Sequence, residues 1–141
     1  MYKNILVAVD IADKPSMERL MRVAREYRAV CPSAEIVFLH VVQSFVNLVD
    51  DFFPKDWLSK VQQKALEGLE AEVNVCFKED KLVSCFAEQG VIYERITEKS
   101  EILGSDLIVI GAQTIDRYDY RLGPNAASVV RHSKASVLVV R

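Results

Sequence analysis

Short apolar runs alternate with longer amphipathic segments from one end of the chain to the other. Ile5 to Val9 is rich in Val and Ile and has the length of a buried strand. Residues 14 to 30 follow, with Met17, Leu20, Met21, Ala24 and Tyr27 at helical spacing. Pro15 suits a first helical turn and Pro32 stops the helix from continuing. Residues 35 to 42 (EIVFLHVV) predict a second strand. An irregular connection over 43 to 54 leads to a long helix over 55 to 76, whose stripe is Leu58, Val61, Ala65, Leu69, Val73 and Cys76. A third strand is predicted from Leu82 to Ala87. A segment opened by Gly90 and ended by Gly104 follows, with Val91, Ile96 and Leu103 facing in. Asp106 to Ile110 predicts strand four, residues 124 to 133 a short helix, and Ser136 to Val140 strand five.

The strand runs are continuous rather than alternating. Strands of that kind are buried on both faces, so the pattern predicts an α/β fold with a parallel sheet between two helix layers. Right-handed crossovers leave few topologies. Both common winding orders set strand one centrally, beside the point where winding reverses, and ligands bind there at the strands' carboxyl ends. With order 3-2-1-4-5, strands one and four meet at that point and present Asp10 and Gly111. A strand-end glycine facing a helix start across a loop is a recurrent way to hold a phosphate. No repeat, linker or low-complexity tract divides the 141 residues, and one domain over 1–141 is expected.

Composition narrows the function classes. The chain is 50% hydrophobic and 27% charged, with a net charge of −2 and both signs interspersed. There is no basic footprint, so nucleic acid is not an expected partner. The opening run reaches Asp10 too soon for a signal segment, and no apolar run approaches the ~20 residues of a membrane span. Cys31, Cys76 and Cys85 fit neither a disulfide framework nor zinc spacing. We read them as free thiols in a reducing cytoplasm, with Cys85 in the core.

The segments YKNILVAVD, FLHVV, DLIVIGAQ, LGPNAASVVRHS and VLVVR resemble the universal stress protein family, and the likeness spans the whole chain. It is similar to the subgroup whose loop after strand four lacks a second glycine. The resemblance implies sheet order 3-2-1-4-5, a homodimer paired through the last strand, and bound ATP, with Mg²⁺ accompanying it. The family's loop motif places one glycine after strand four, a second soon after, and a third followed by Ser or Thr. Here Gly111 matches the first, Thr114 replaces the second, Gly123 matches the third, and Pro124 replaces the Ser or Thr. Proline removes a hydroxyl and an N–H but remains a good first helical residue. The N–H groups of Asn125, Ala126 and Ala127 are left, with the side chains of Asn125 and Ser128. By the same resemblance the nucleotide would contact Ala8, Val9 and Asp10 after strand one, Val41 after strand two, and Ile110 and Gly111 after strand four. Gly123, Asn125, Ala126 and Ser128 would complete the site.

Each candidate also has a structural role to weigh. Asp10 suits a ribose contact or a cap for the next turn. Gly111 suits close ligand approach or a plain turn. His40 is expected to face the core or a helix rather than act as a base. Arg117, Arg121 and Arg131 suit a phosphate clamp, but Asp116 and Asp119 dilute the first two, and His132 with Lys134 reads as a structural turn. The connection FVNLVDDFFPKDW suits a lid, a partner surface or a local core. Asp50, Asp51 and Asp56 within it would hold a metal only if they converge. There is no Walker loop with its lysine, no nucleophile elbow and no metal-ligand cluster. The expected function is a cytoplasmic adenine-nucleotide-binding stress regulator with at most slow ATP hydrolysis. The alternative is a dimeric interaction module of the same family that binds no nucleotide. A phospho-receiver would need an acidic residue ending strand three and a lysine ending strand five, where this chain has FAEQ and VVR. A flavin site would need a Ser/Thr/Gly-rich loop in place of DIADKPS.

Overall fold

Val/Ile/Leu runs with no polar face need cover on both sides. In the computed structural model, which describes residues 1–44, 56–112 and 122–141, they receive it. The elements run β1 (Asn4–Val9), α1 (Lys14–Val30), β2 (Glu35–Gln43), α2 (Trp57–Phe77), β3 (Val83–Gly90), α3 (Ile92–Leu103), β4 (Leu107–Gly111), α4 (Pro124–His132) and β5 (Ser136–Val140). All strand pairs are parallel and the order is β3-β2-β1-β4-β5. Side-chain alternation splits the core in two. Ile5, Val7, Phe38 and Val109 pack with Met17 and Leu20 of α1 and Leu69 and Val73 of α2. Leu6, Ala8, Leu39, Ile108 and Ile110 pack with Ile96 of α3 and Ala126 and Val129 of α4. No helix among the described residues is long and apolar enough to cross a membrane.

Polar groups fasten the ends of these elements. The Asp13 carboxylate accepts the Ser16 N–H at 3.2 Å and caps α1, with Pro15 in the first turn. Asp106, expected within β4, stands just before it and accepts the N–H groups of Lys3 and Asn4, each at 2.9 Å. It thereby locks the start of β1 against β4. Arg28, in the last turn of α1, donates to both oxygens of Asp80 at 2.8 and 2.9 Å. It also donates to the Ala34 carbonyl at 3.1 Å. One side chain thus ties α1 to the entry of β2 and the approach to β3.

Some boundaries differ from the predicted ones. β3 runs past Ala87 through Glu88, Gln89 and Gly90, because these pair with Val41, Val42 and Gln43. An edge strand tolerates the polar residues, and Lys99 covers part of it, pairing with Glu88 at 3.0 Å and lying 3.9 Å from the Phe86 ring centre. Gly90 therefore ends a strand rather than opening a helix, at a φ of +141°. Val91 does not face in. It is the N-cap of α3 and is 42% exposed, while Ile96 is buried. Cys85 is half-buried beside the core, and burial, with Glu70 adding to it, pushes its thiol up to about 11, so it stays protonated at neutral pH.

Gly111 has a specific neighbour. A Cβ built on it would stand 2.6 Å from Oγ of the buried Ser16, so α1 comes down on β4 where a side chain fits only if that hydroxyl turns away. Gly111→Ala should cost about 1–3 kcal/mol of unfolding free energy. Most of that cost should vanish in a Ser16→Ala background, where the next atom is 4.0 Å away. Denaturant titration of the four-member cycle checks this, and strictly additive costs would refute the contact.

The Arg28 guanidinium beside Asp80, with the Leu82 N–H, holds that carboxyl below its ordinary value of 3.8. A depressed folded value means the pair stabilises above the unfolded value and is lost as pH falls through the folded one. Arg28→Ala should therefore cost about 1–2 kcal/mol near neutral pH. The gap from wild type should narrow as the pH falls below 3.8 and the Asp80 carboxylate is protonated, leaving the part that the bond to the Ala34 carbonyl supplies, on a pH series of thermal melts.

Candidate functional site

The central strand stops first. β1 pairs with β2 only to Val9↔His40 and with β4 only to Ala8↔Ile110. β2 continues along β3 to Gln43↔Gly90, and β4 along β5 to Gly111↔Val140. Both neighbours overrun β1 and leave a crevice above its end. A cavity of about 590 Å³ occupies it, within the range of small-molecule sites. Ala8, Val9, Asp10, Val41, Ile110, Gly111 and Asn125 all line it, so seven of the ten residues carried over by resemblance share one cavity.

The overrun strand edge carries main-chain groups with no hydrogen-bond partner among the described residues. The Glu35 N–H donates to the Lys3 carbonyl just before β1 and the Ile36 N–H to the Leu82 carbonyl just before β3. By that alternation Val41 and Gln43 turn their main-chain groups to the β1 side. There β1 has ended, so the Val41 carbonyl and the Gln43 N–H border the cavity. Ala8, Leu39, Val41, Ile92, Ile96 and Ile110 supply apolar surface next to them.

The turn after β1 is built by the residue that the sequence singles out. Asp10 Oδ1 accepts the Ala12 N–H at 2.9 Å, and its carbonyl accepts the Asp13 N–H at 3.1 Å. Asp10 is thus both a turn cap and a cavity residue, with no described residue on Oδ2. His40 Nδ1 lies 3.2 Å from the Val9 carbonyl and 3.4 Å from the Ile11 nitrogen, which holds the ring against the end of β1 while it lines the cavity. The ring thus faces the cavity and the end of β1, where the core or a helix face was expected.

The start of α4 forms another wall. Gly123 is the N-cap at φ −61°, ordinary extended backbone, and its N–H donates to the Ala112 carbonyl at 2.8 Å. Ala127 is not available as expected, because its N–H donates to the Gly123 carbonyl at 2.9 Å. Asn125 and Ala126 keep N–H groups with no carbonyl inside the helix. The Ala126 side chain is core, and Ser128 stands one turn in, half-buried and off the cavity lining. Arg131 is exposed in the last turn of α4, at the end away from Asn125. His132 bonds the Ser128 carbonyl at 2.8 Å and contacts Tyr93, and Lys134 pairs with Glu101 at 3.4 Å, both structural roles.

Several lining residues escape sequence reading. Ser16, Gln43, Val61, Lys64, Ala65, Ile92 and Ile96 all border the cavity. Val61, Ala65 and Ile96 are visible in the helical stripes, where they read as core. Only the placement of α2 and α3 over the strand ends turns them into a lining. Thr114, Asp116, Arg117, Asp119 and Arg121 lie outside the described residues, as do Asp50 and Asp51 and most of the aromatic connection. Asp56 pairs with Lys60 at 2.9 Å. Among the described residues no three His, Cys, Asp or Glu side chains converge as a metal site.

The Universal stress protein family profile matches residues 1–141. Universal stress protein G of Escherichia coli O157:H7 is 31% identical over 144 residues, with all of both chains covered. Hypothetical protein MJ0577 shares the fold at TM-score 0.75 and 22% identity, over 99% of this chain and 96% of that one. A universal stress protein from Archaeoglobus fulgidus solved in complex with dAMP superposes at TM-score 0.58 and 18% identity, over 99% and 98% of the two chains. One solved in complex with cAMP superposes at 0.60 and 20%, over 99% and 97%. Fold, length and sequence agree: the chain belongs to the universal stress protein family.

Proposed function

We propose that this protein binds adenine nucleotides, ATP among them, in the crevice above β1, and that occupancy regulates a stress response in the cytoplasm. The observation that carries the reading is the overrun edge of β2 at the cavity. A carbonyl at Val41 and an N–H at Gln43 complement adenine, which sets an amino donor beside a ring-nitrogen acceptor. Guanine presents the reverse order on that edge. Ala8, Val41, Ile96 and Ile110 offer apolar contact to the base, Asp10 Oδ2 an acceptor for ribose hydroxyls, and Asn125 with the start of α4 a place for phosphate. The relatives in complex with cAMP and dAMP support the same ligand class. Mg²⁺ would arrive on a polyphosphate rather than on a protein cluster. A nucleotide regulates by binding one conformation more tightly than another, and no catalytic residue is assigned.

Assembly belongs to the same proposal. Among the described residues β5 pairs only with β4, so one side of it offers a row of main-chain groups to a second copy. Leu138 is 44% exposed on that strand, whereas Val139 packs against the core. Leu138→Asp is thus the cleaner probe. It should convert a dimer to a monomer by sedimentation velocity with an unchanged circular dichroism spectrum, and an unshifted dimer would exclude pairing through β5.

Nucleotide released from denatured protein and resolved by ion exchange, followed by calorimetric titration, tests the ligand. Adenine nucleotide near one per chain is the expected result. No release and no binding would leave the dimeric interaction module as the function. Asp10→Asn keeps an acceptor for the Ala12 N–H but removes the ribose carboxylate. It should weaken binding about tenfold, or ~1.4 kcal/mol, with little change in melting temperature. Unchanged affinity would remove Asp10 from the site.

A further inference from the structure

Resting on the adenine-nucleotide reading, we propose that His40 is a positioning residue that presents the Asp10 carboxylate to the ribose. Val9↔His40 is the last pair that β1 makes with β2. Beyond it the chain leaves the sheet through Asp10, Ile11 and Ala12 and enters α1 at Lys14. The His40 ring follows it out. Its Nδ1 stands 3.2 Å from the Val9 carbonyl oxygen and 3.4 Å from the Ile11 nitrogen. Those two main-chain groups flank Asp10, so one ring nitrogen brackets the residue. A protonated Nδ1 donates to the Val9 carbonyl, and a bare one accepts the Ile11 N–H. Either tautomer holds a neighbour of Asp10 to the end of β2.

The bonds that Asp10 itself makes do a different job. Oδ1 accepts the Ala12 N–H at 2.9 Å, and the main-chain carbonyl accepts the Asp13 N–H at 3.1 Å. Both close within the turn, so they shape it without fixing it against β2. The His40 contacts come from β2 and tie the turn to that strand. This matters because base and ribose contacts sit on different segments. Val41 and Gln43 lie on β2, and Asp10 lies past the end of β1. A nucleoside spans both, and His40, one residue before Val41, links them while lining the cavity beside Asp10. A shift of about 0.5 Å is enough to degrade a contact of this kind. Loss of the ring nitrogen should therefore be felt at the ribose, whereas a ring that merely filled space would matter equally to base and nucleotide.

The test is calorimetry of the whole chain with ATP, and with adenine read by its displacement of ATP. His40→Phe keeps a ring and removes Nδ1. It should lower ATP affinity about fivefold and change adenine affinity less than about twofold. His40→Asn places an amide atom where Nδ1 stands and should recover most of the ATP affinity. His40→Gln carries its amide one bond farther out, at the Nε2 position, and should behave as His40→Phe does. It stands in for that variant if the apolar ring prevents folding. Combined with Asp10→Asn, either should add little further loss. Equal losses for ATP and adenine would overturn this inference and leave the adenine reading intact. Additive losses with Asp10→Asn, or no recovery in His40→Asn, would do the same. No ATP binding by the wild type would overturn the adenine reading and this inference with it.

Discussion

The structure depends on a difference in strand length at the centre of the sheet. β1 ends at Val9, while β2 and β4 keep pairing with their outer neighbours beyond it. A parallel sheet must be covered on both faces, and the winding reverses beside β1, so the crossovers to either side of it run in opposite directions. The strand edge left unpaired among the described residues, the apolar strand ends and the helix start meet in one place. The site is a consequence of how the core is closed.

The same residues serve fold and site, and this constrains what either can tolerate. Asp10 holds the turn that aims α1, and also faces the cavity. Ser16, in the first turn of α1, presses on Gly111, so the position that lets a ligand near β4 is also where helix meets strand. A glycine chosen for function alone would have open space at its Cβ. Here the space is taken by the protein, and a side chain at 111 perturbs the layer packing before it reaches any ligand. His40 is similar: its ring bonds the end of β1 and forms part of the wall.

Much of the fold was legible because it follows from local periodicity. Residues 14 to 30 show apolar spacing of 3.6, and the helix occupies that span. The last strand lies where SVLVV places it. Reading failed where the partner decides. Glu88 to Gly90 look like a loop and are strand because β2 offers Val41 to Gln43 as a template. Val91 is apolar, yet its place as N-cap turns it outward. Of the site, the β1 and β4 ends were legible because strand runs end at Asp10 and Gly111. The donors of α4 were not, since a sequence does not reveal that Gly123 and Ala127 have already found acceptors.

The sequence by itself determined the element order, the two-faced burial of the strands and the family, because each rests on residue types and spacing along the chain. Tertiary structure alone decided which side chains of α2 and α3 line the crevice and why residue 111 must be small. It also decided how many N–H groups at the start of α4 are left to give. Those are matters of distance between segments far apart in the chain, and hydrophobic patterning states which face is buried without stating what it is buried against.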